Sequence, residues 1–118
     1  MIGLNRVFLM GHLGSTPTER VNITGKRYTQ LRLATQRPSK SGEEPSTADW
    51  HSIFVWGKQG ENCKKYLDKG SPILVEGYIS SYSKSVNGQT EFLSAINAVK
   101  VDFLQKSTDS EAMPKTES

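Results

Sequence analysis

Trp50-His51-Ser52-Ile53-Phe54-Val55-Trp56 is the stretch whose reading decides the fold. It is made of aromatic and β-branched residues, the types that suit a pleated, half-buried strand. In a strand, successive side chains point to opposite faces. Trp50, Phe54 and Trp56 therefore share one face, and Ile53 and Val55 share the other. The aliphatic pair faces a core, which leaves three large rings outside. A tryptophan on an outer face needs a partner for its ring. Two readings of that face follow: a platform on which planar groups stack, or rings covered by the core or by another subunit.

The segments on either side repeat the period of two. Arg27 to Thr35 places Leu31 and Leu33 on one face and Gln30, Arg32 and Ala34 on the other, and Gly25 ahead of it marks a hairpin turn. Arg6 to Leu13 has apolar residues on both faces, which reads as a strand covered on both sides for part of its length. Gly14 to Pro17 breaks it. Gln36 to Asp49 lacks a period and reads as a long exposed loop. Glu61 to Leu67 is the one good helix candidate, with Cys63, Tyr66 and Leu67 along one side and Lys69-Gly70 ending it. Ser71 to Ile79 is a fourth strand. The Asn87-Gly88 pair signals a hairpin, and Thr90 to Leu104 returns as a fifth strand, bent near Asn97. Gly11 and Gly77 fall within strands, where glycine marks a bend or bulge.

Three strands, a helix and two strands match an all-β, five-stranded OB-fold barrel with one short helix between the third and fourth strands and a long β-hairpin. Residues 1–106 read as that single domain, and residues 107–118 as a short polar, disordered tail. The chain of 118 residues fits one domain of this size.

Composition narrows the function classes. The formal charge is +3. The tail carries Asp109, Glu111 and Glu117 against Lys115, a net −2, which leaves +5 on residues 1–106. A basic body suits a polyanion. Cys63 is alone, so neither an internal disulfide nor a cysteine-rich metal site is available, and a reducing compartment is implied. No apolar run approaches the ~20 residues that span a bilayer, and the N-terminus does not read as a signal peptide. His12 and His51 are isolated. No phosphate loop, nucleophile elbow or paired-carboxylate motif is present. A non-enzymatic protein with no cofactor and no metal is expected, in the cytoplasm with the nucleoid rather than in a mitochondrial matrix.

The sequence does offer aromatic residues interleaved with cations. Lys26, Arg27, Arg32 and Arg37 lie on the second strand and at its ends, Lys58 follows Trp56, and Lys84 sits near the last hairpin. Rings that take bases and cations that track phosphates are the two requirements for holding a single strand.

Over roughly residues 2–104 the chain resembles the bacterial and mitochondrial single-stranded DNA-binding protein family. The matching stretches are Asn5-Arg6-Val7 to Gly11-His12-Leu13-Gly14 with Pro17; Leu31 to Thr35; Asp49-Trp50-His51 to Trp56-Gly57-Lys58; Tyr66 to Ser71; and Val75-Glu76-Gly77. The resemblance implies binding of single-stranded DNA with little sequence preference, in replication, recombination or repair. Stacking on aromatic rings over a charged groove is the general account of such proteins. Trp50 matches a stacking position, and Trp56 sits where the family commonly has Phe. Two further family tryptophans are unmatched, one near Pro38-Ser39 and one near Lys84, where Tyr82 is a substitute. The DNA-binding set is thus Trp50, Trp56, Phe54, Tyr82, Arg32, Lys58, Lys84 and Arg37. The family places His51 at a subunit interface and implies a homotetramer. Its short acidic tip, closed by an apolar residue, has no match in residues 107–118. Replication or repair partners would then be met by the domain surface or the Gln36–Asp49 loop. Alternatives are a primosome-type accessory protein that mainly bridges replication proteins, an interaction subunit without nucleic acid, and an RNA-binding OB module.

Overall fold

The computed structural model describes residues 2–37 and 47–105. Its elements are β1 (Val7–Leu13), β2 (Thr18–Val21), β3 (Arg27–Gln36), β4 (Ala48–Trp56), α1 (Gly57–Tyr66), β5 (Pro72–Val86) and β6 (Gln89–Phe103). The sheet runs β1-β5-β6-β4-β3-β2, and β1 also pairs with β3 at His12–Ala34 and Leu13–Leu33. That second pairing closes β1, β5, β6, β4 and β3 into a ring of five, with β2 added outside it. Closure joins β4 and β6 in parallel through Ile53–Ile96 and Phe54–Asn97. This is the expected OB-fold barrel.

The core follows from the alternation. Leu31 and Leu33 of β3, Ile53 and Val55 of β4, Ile73 and Val75 of β5 and Ile96 of β6 fill the barrel, with Leu13 of β1 at one end. Cys63 of α1 and Leu67 after it pack on the same cluster. Cys63 is fully buried, and burial pushes its thiol up to about 11. The helix sits close because Gly60 has no side chain: a Cβ there would lie 2.4 Å from the Val55 carbonyl oxygen. The buried Thr29 hydroxyl donates to the Gly60 carbonyl at 3.0 Å.

Several sequence expectations shift. The short strand β2 was not expected; it pairs with the first half of β3, and Gly25 at φ 88° makes the turn between them. The helix begins at Gly57, four residues before the expected Glu61, and Tyr66 faces outward rather than lining the packed side. The β3–β4 ladder runs to Gln36–Ala48, so the loop is shorter at both ends than Gln36–Asp49, and residues 38–46 lie outside the described residues. The 107–118 tail lies outside them too. The fourth strand continues to Val86 as one arm of a long hairpin. The first strand is not covered on both sides within one chain, since Phe8 and Met10 are each 64% exposed.

A bend or bulge was expected at Gly11 and Gly77; the ladder is irregular only at Gly77, and both glycines mark close approaches. A Cβ on Gly11 would sit 2.0 Å from the Ala34 carbonyl oxygen, where β1 crosses from β5 to β3. Gly77 stands at the register shift between β5 and β6, where Glu76 pairs with Lys100 and Gly77 with Ala98. Val99 is thus the extra residue, two positions beyond the bend expected at Asn97. A Cβ on Gly77 would lie 2.2 Å from the Asn97 carbonyl oxygen. Gly77→Ala therefore costs about 1–3 kcal/mol of stability, in the range of overpacked cores. Gly3→Ala, whose Cβ meets nothing within 4 Å, leaves the denaturation midpoint where it was. Urea titrations of both variants make the comparison.

Candidate nucleic-acid interface

The outer face of the β3–β4 ladder is set by its register. Tyr28 stands opposite Trp56, Gln30 opposite Phe54, Arg32 opposite Ser52 and Ala34 opposite Trp50. Side chains of one parity project outward on both strands, so these residues form one surface. Ile53 and Val55 are fully buried on the opposite face, as the sequence requires.

Two clusters occupy that surface. At one end, Trp50 is half-exposed at 51%, with the Arg32 guanidinium carbon 5.0 Å from its ring centroid. The indole lies over Gly14, where a Cβ would meet Cζ3 of the ring at 2.2 Å. At the other end, four rings run in a row. Trp56 and Tyr28 have centroids 4.6 Å apart, Tyr28 and Phe54 4.8 Å, and Phe54 and Tyr82 5.5 Å, all tilted. Such geometries suit aromatic pairs better than face-to-face sandwiches. The Lys26 ammonium lies 5.1 Å over the Trp56 ring. Six residues of extended chain place Trp50 and Trp56 about 20 Å apart.

Of the residues singled out from sequence, the structure brings Trp50 to Arg32 and Phe54 to Tyr82, and Trp56 joins the same row through Tyr28. Lys84 follows Tyr82 by two residues on β5 and is exposed. Lys58, in the first turn of α1, instead lines a groove with Gln59, Asn62 and Val101 to Phe103. Arg37 is paired: its Nη2 meets Asp49 Oδ1 at 2.7 Å, and its Nε meets Oδ2 at 3.3 Å. The hydrogen bond from Arg37 holds the Asp49 carboxyl below its usual range and raises the guanidinium in turn. The pair ties together the two strands that flank residues 38–46. His51 is half-buried, its Nε2 2.9 Å from the Thr35 hydroxyl.

Tyr28 was missed as a site residue, although its parity with Gln30 and Arg32 already placed it on this face. Arg20 was missed with the strand that carries it; it stands opposite Tyr28, and its Nε donates to Gln30 Oε1 at 3.0 Å. Lys26 and Arg32 thus lie over the two tryptophan rings, and Arg20 lies beside Tyr28. Among the described residues no three His, Cys, Asp or Glu side chains gather as metal ligands, and no helix is long and apolar enough to cross a membrane.

The model of the single-strand binding protein family matches residues 4–104. The chain is 33% identical over 106 residues to single-stranded DNA-binding protein 1 of Chlorobaculum tepidum, covering 86% of this chain and 65% of that protein. It is 34% identical over 115 residues to the single-stranded DNA-binding protein of Xylella fastidiosa, covering 94% of this chain and 70% of that one. The chain thus spans about two thirds of the length of these relatives. A solved structure of the Plasmodium falciparum SSB complex with ssDNA superposes with a TM-score of 0.73 at 25% identity, over 89% of this chain and 98% of that one.

The contact between Gly14 and Trp50 gives a direct probe of the exposed platform. In a Trp56→Phe background, where Trp50 alone emits, Gly14→Ala forces the indole off its seat. Acrylamide quenching of that tryptophan is expected to rise. An unchanged quenching constant would mean that the ring yields in place.

Proposed function

Because the chain belongs to the single-strand binding protein family, we propose that it binds single-stranded DNA along the outer face of β3, β4 and the β5–β6 hairpin, with little sequence preference. The observation that carries this reading is the row of four half-buried rings on one sheet face, continued by Trp50 at its far end. Every base has a π-face, so rings held at fixed positions accept any sequence, at about 1–3 kcal/mol per stacked base. In this reading Arg20, Lys26 and Arg32 beside the rings, and Lys84 on the hairpin, contact the phosphates of the strand. Arg37 and Lys58 act as flanking cations; Arg37 must share its charge with Asp49. The protein works by holding strands rather than by catalysis, in replication, recombination or repair in the bacterial cytoplasm. Replication and repair proteins are its partners.

The assembly in this proposal is a homotetramer. Among the described residues, β1 pairs over Val7 to Gly11 with β5 only, which leaves its other edge open with Phe8 and Met10 exposed. An open apolar edge invites another strand, and proteins seldom leave one bare. Beside it lies a hollow of about 580 Å³ lined by Met10, His12, Ala34, Thr35, Ala48 and Pro72. Thr35 is the partner of His51, which supports placing His51 near a subunit contact.

Two experiments test these readings. Oligo-dT is expected to quench tryptophan emission, and Trp50→Ala and Trp56→Ala each to weaken binding by about 1–3 kcal/mol. Affinity falls as salt rises, because neutralised phosphates release counterions, and Arg32→Glu lowers it for every sequence alike. Normal binding by both tryptophan variants would sink the stacking assignment. For the assembly, light scattering at micromolar concentration is expected to give the mass of four chains. Charges placed on the open edge, as in Phe8→Glu with Met10→Glu, are expected to reduce it. A monomer in the unmodified protein would contradict the tetramer.

A further inference from the structure

The ring row borders a hollow that stacking alone does not explain. Asn22, Tyr28, Phe54, Trp56, Ser80, Tyr82 and Asn97 line a half-open hollow of about 240 Å³. A cavity of roughly 150 Å³ is enough to bind benzene, so this one admits a single pyrimidine ring with its exocyclic oxygens. Its polar groups are fixed by their neighbours. Trp56 Nε1 donates to Asn97 Oδ1 at 2.8 Å. An indole N–H is only a donor, so the Asn97 oxygen must face Trp56. The Asn97 amide nitrogen then donates to the Ser80 hydroxyl oxygen. One amide hydrogen of Asn97 and the hydroxyl hydrogen of Ser80 are left over. Asn22 is oriented the same way, since its Oδ1 accepts from the backbone N–H groups of Thr24 at 3.1 Å and Lys26 at 2.8 Å and from the Thr24 hydroxyl. Its amide nitrogen is left free to donate. The cleft therefore combines ring walls with an excess of donors.

We propose that this cleft seats one nucleobase and selects for ring carbonyl oxygens, as on a thymine or uracil, through donors from Asn97, Ser80 and Asn22. The proposal rests on the reading that single strands cross this face. It adds a position at which the bound base is chosen by its hydrogen bonds. Asn97 has a double part: it fixes the Trp56 ring as a wall and offers its remaining hydrogen to the base. A base without carbonyls stacks equally well but leaves these donors unpaired, and unpaired donors in a half-buried cleft weaken binding.

The probes are two uniform oligomers of equal length, oligo-dT and its 2,4-difluorotoluene counterpart, which keeps the shape of thymine and lacks its hydrogen-bonding carbonyls. Uniform sequence removes any dependence on where the strand sits. The full chain is expected to bind the isostere about three- to tenfold more weakly than oligo-dT, the worth of one or two hydrogen bonds. Ser80→Ala, which leaves the Trp56–Asn97 bond in place, is expected to bring that ratio toward one, as is Asn97→Leu. Equal affinity of the unmodified protein for both oligomers overturns the base-selective cleft and leaves strand binding standing. A ratio that survives both substitutions also overturns it, because the discrimination then lies elsewhere. Failure to bind either oligomer overturns both this proposal and the function on which it rests.

Discussion

The register between β3 and β4 is the constraint on which the rest of the structure depends. With Leu31 opposite Ile53 and Tyr28 opposite Trp56, one ladder supplies the middle of the core on one side and the ring row on the other. A slip of β4 by one residue would exchange its faces, burying the tryptophans and exposing Ile53 and Val55. The hydrophobic cost of that exchange holds the register, so the outer surface inherits its order from the core. Tyr28 stands 4.6 Å from Trp56 and 4.8 Å from Phe54 because Leu31, Ile53 and Val55 are buried beneath them.

Barrel closure adds the third side of the site. The parallel pairing of β4 with β6 brings Asn97 next to Phe54, and the β5–β6 ladder brings Tyr78 and Ser80 with it. Tyr82 reaches Phe54 and Asn97 reaches the Trp56 indole only because this seam exists. The bulge at Val99 and the missing side chains at Gly11 and Gly77 let the strands bend enough to close. A ring surface made this way is held in place by the barrel itself, so little ordering cost would fall on a ligand that stacked there.

The same arithmetic of faces explains the apolar surface that one chain leaves uncovered. β1 contributes Leu13 to the core but turns Phe8 and Met10 to solvent along an edge that no described strand pairs. The apolar residues on both faces of Arg6 to Leu13 were visible in the sequence, yet only Val7, Leu9 and Leu13 pack on the core of a single barrel. The cations are divided in a similar way. Arg32 and Lys26 sit over rings, whereas Arg37 is held by Asp49 and Arg6 by Glu76.

The sequence by itself determined the five barrel strands, the helix between the third and fourth, the shared faces of Leu31 with Leu33 and of Ile53 with Val55, and the common face of Trp50, Phe54 and Trp56. These follow from local alternation, which is written in adjacent residues. Its resemblance to the single-stranded DNA-binding proteins rests on the same stretches. Only the tertiary structure decided which rings touch, that Asn97 holds Trp56, that Arg37 is paired while Arg32 lies on Trp50, and that a weakly patterned segment, Thr18–Val21, becomes a strand. Those contacts join residues as far as 41 positions apart, as between Trp56 and Asn97. Such a meeting is set by barrel closure and strand register, and no local pattern encodes it.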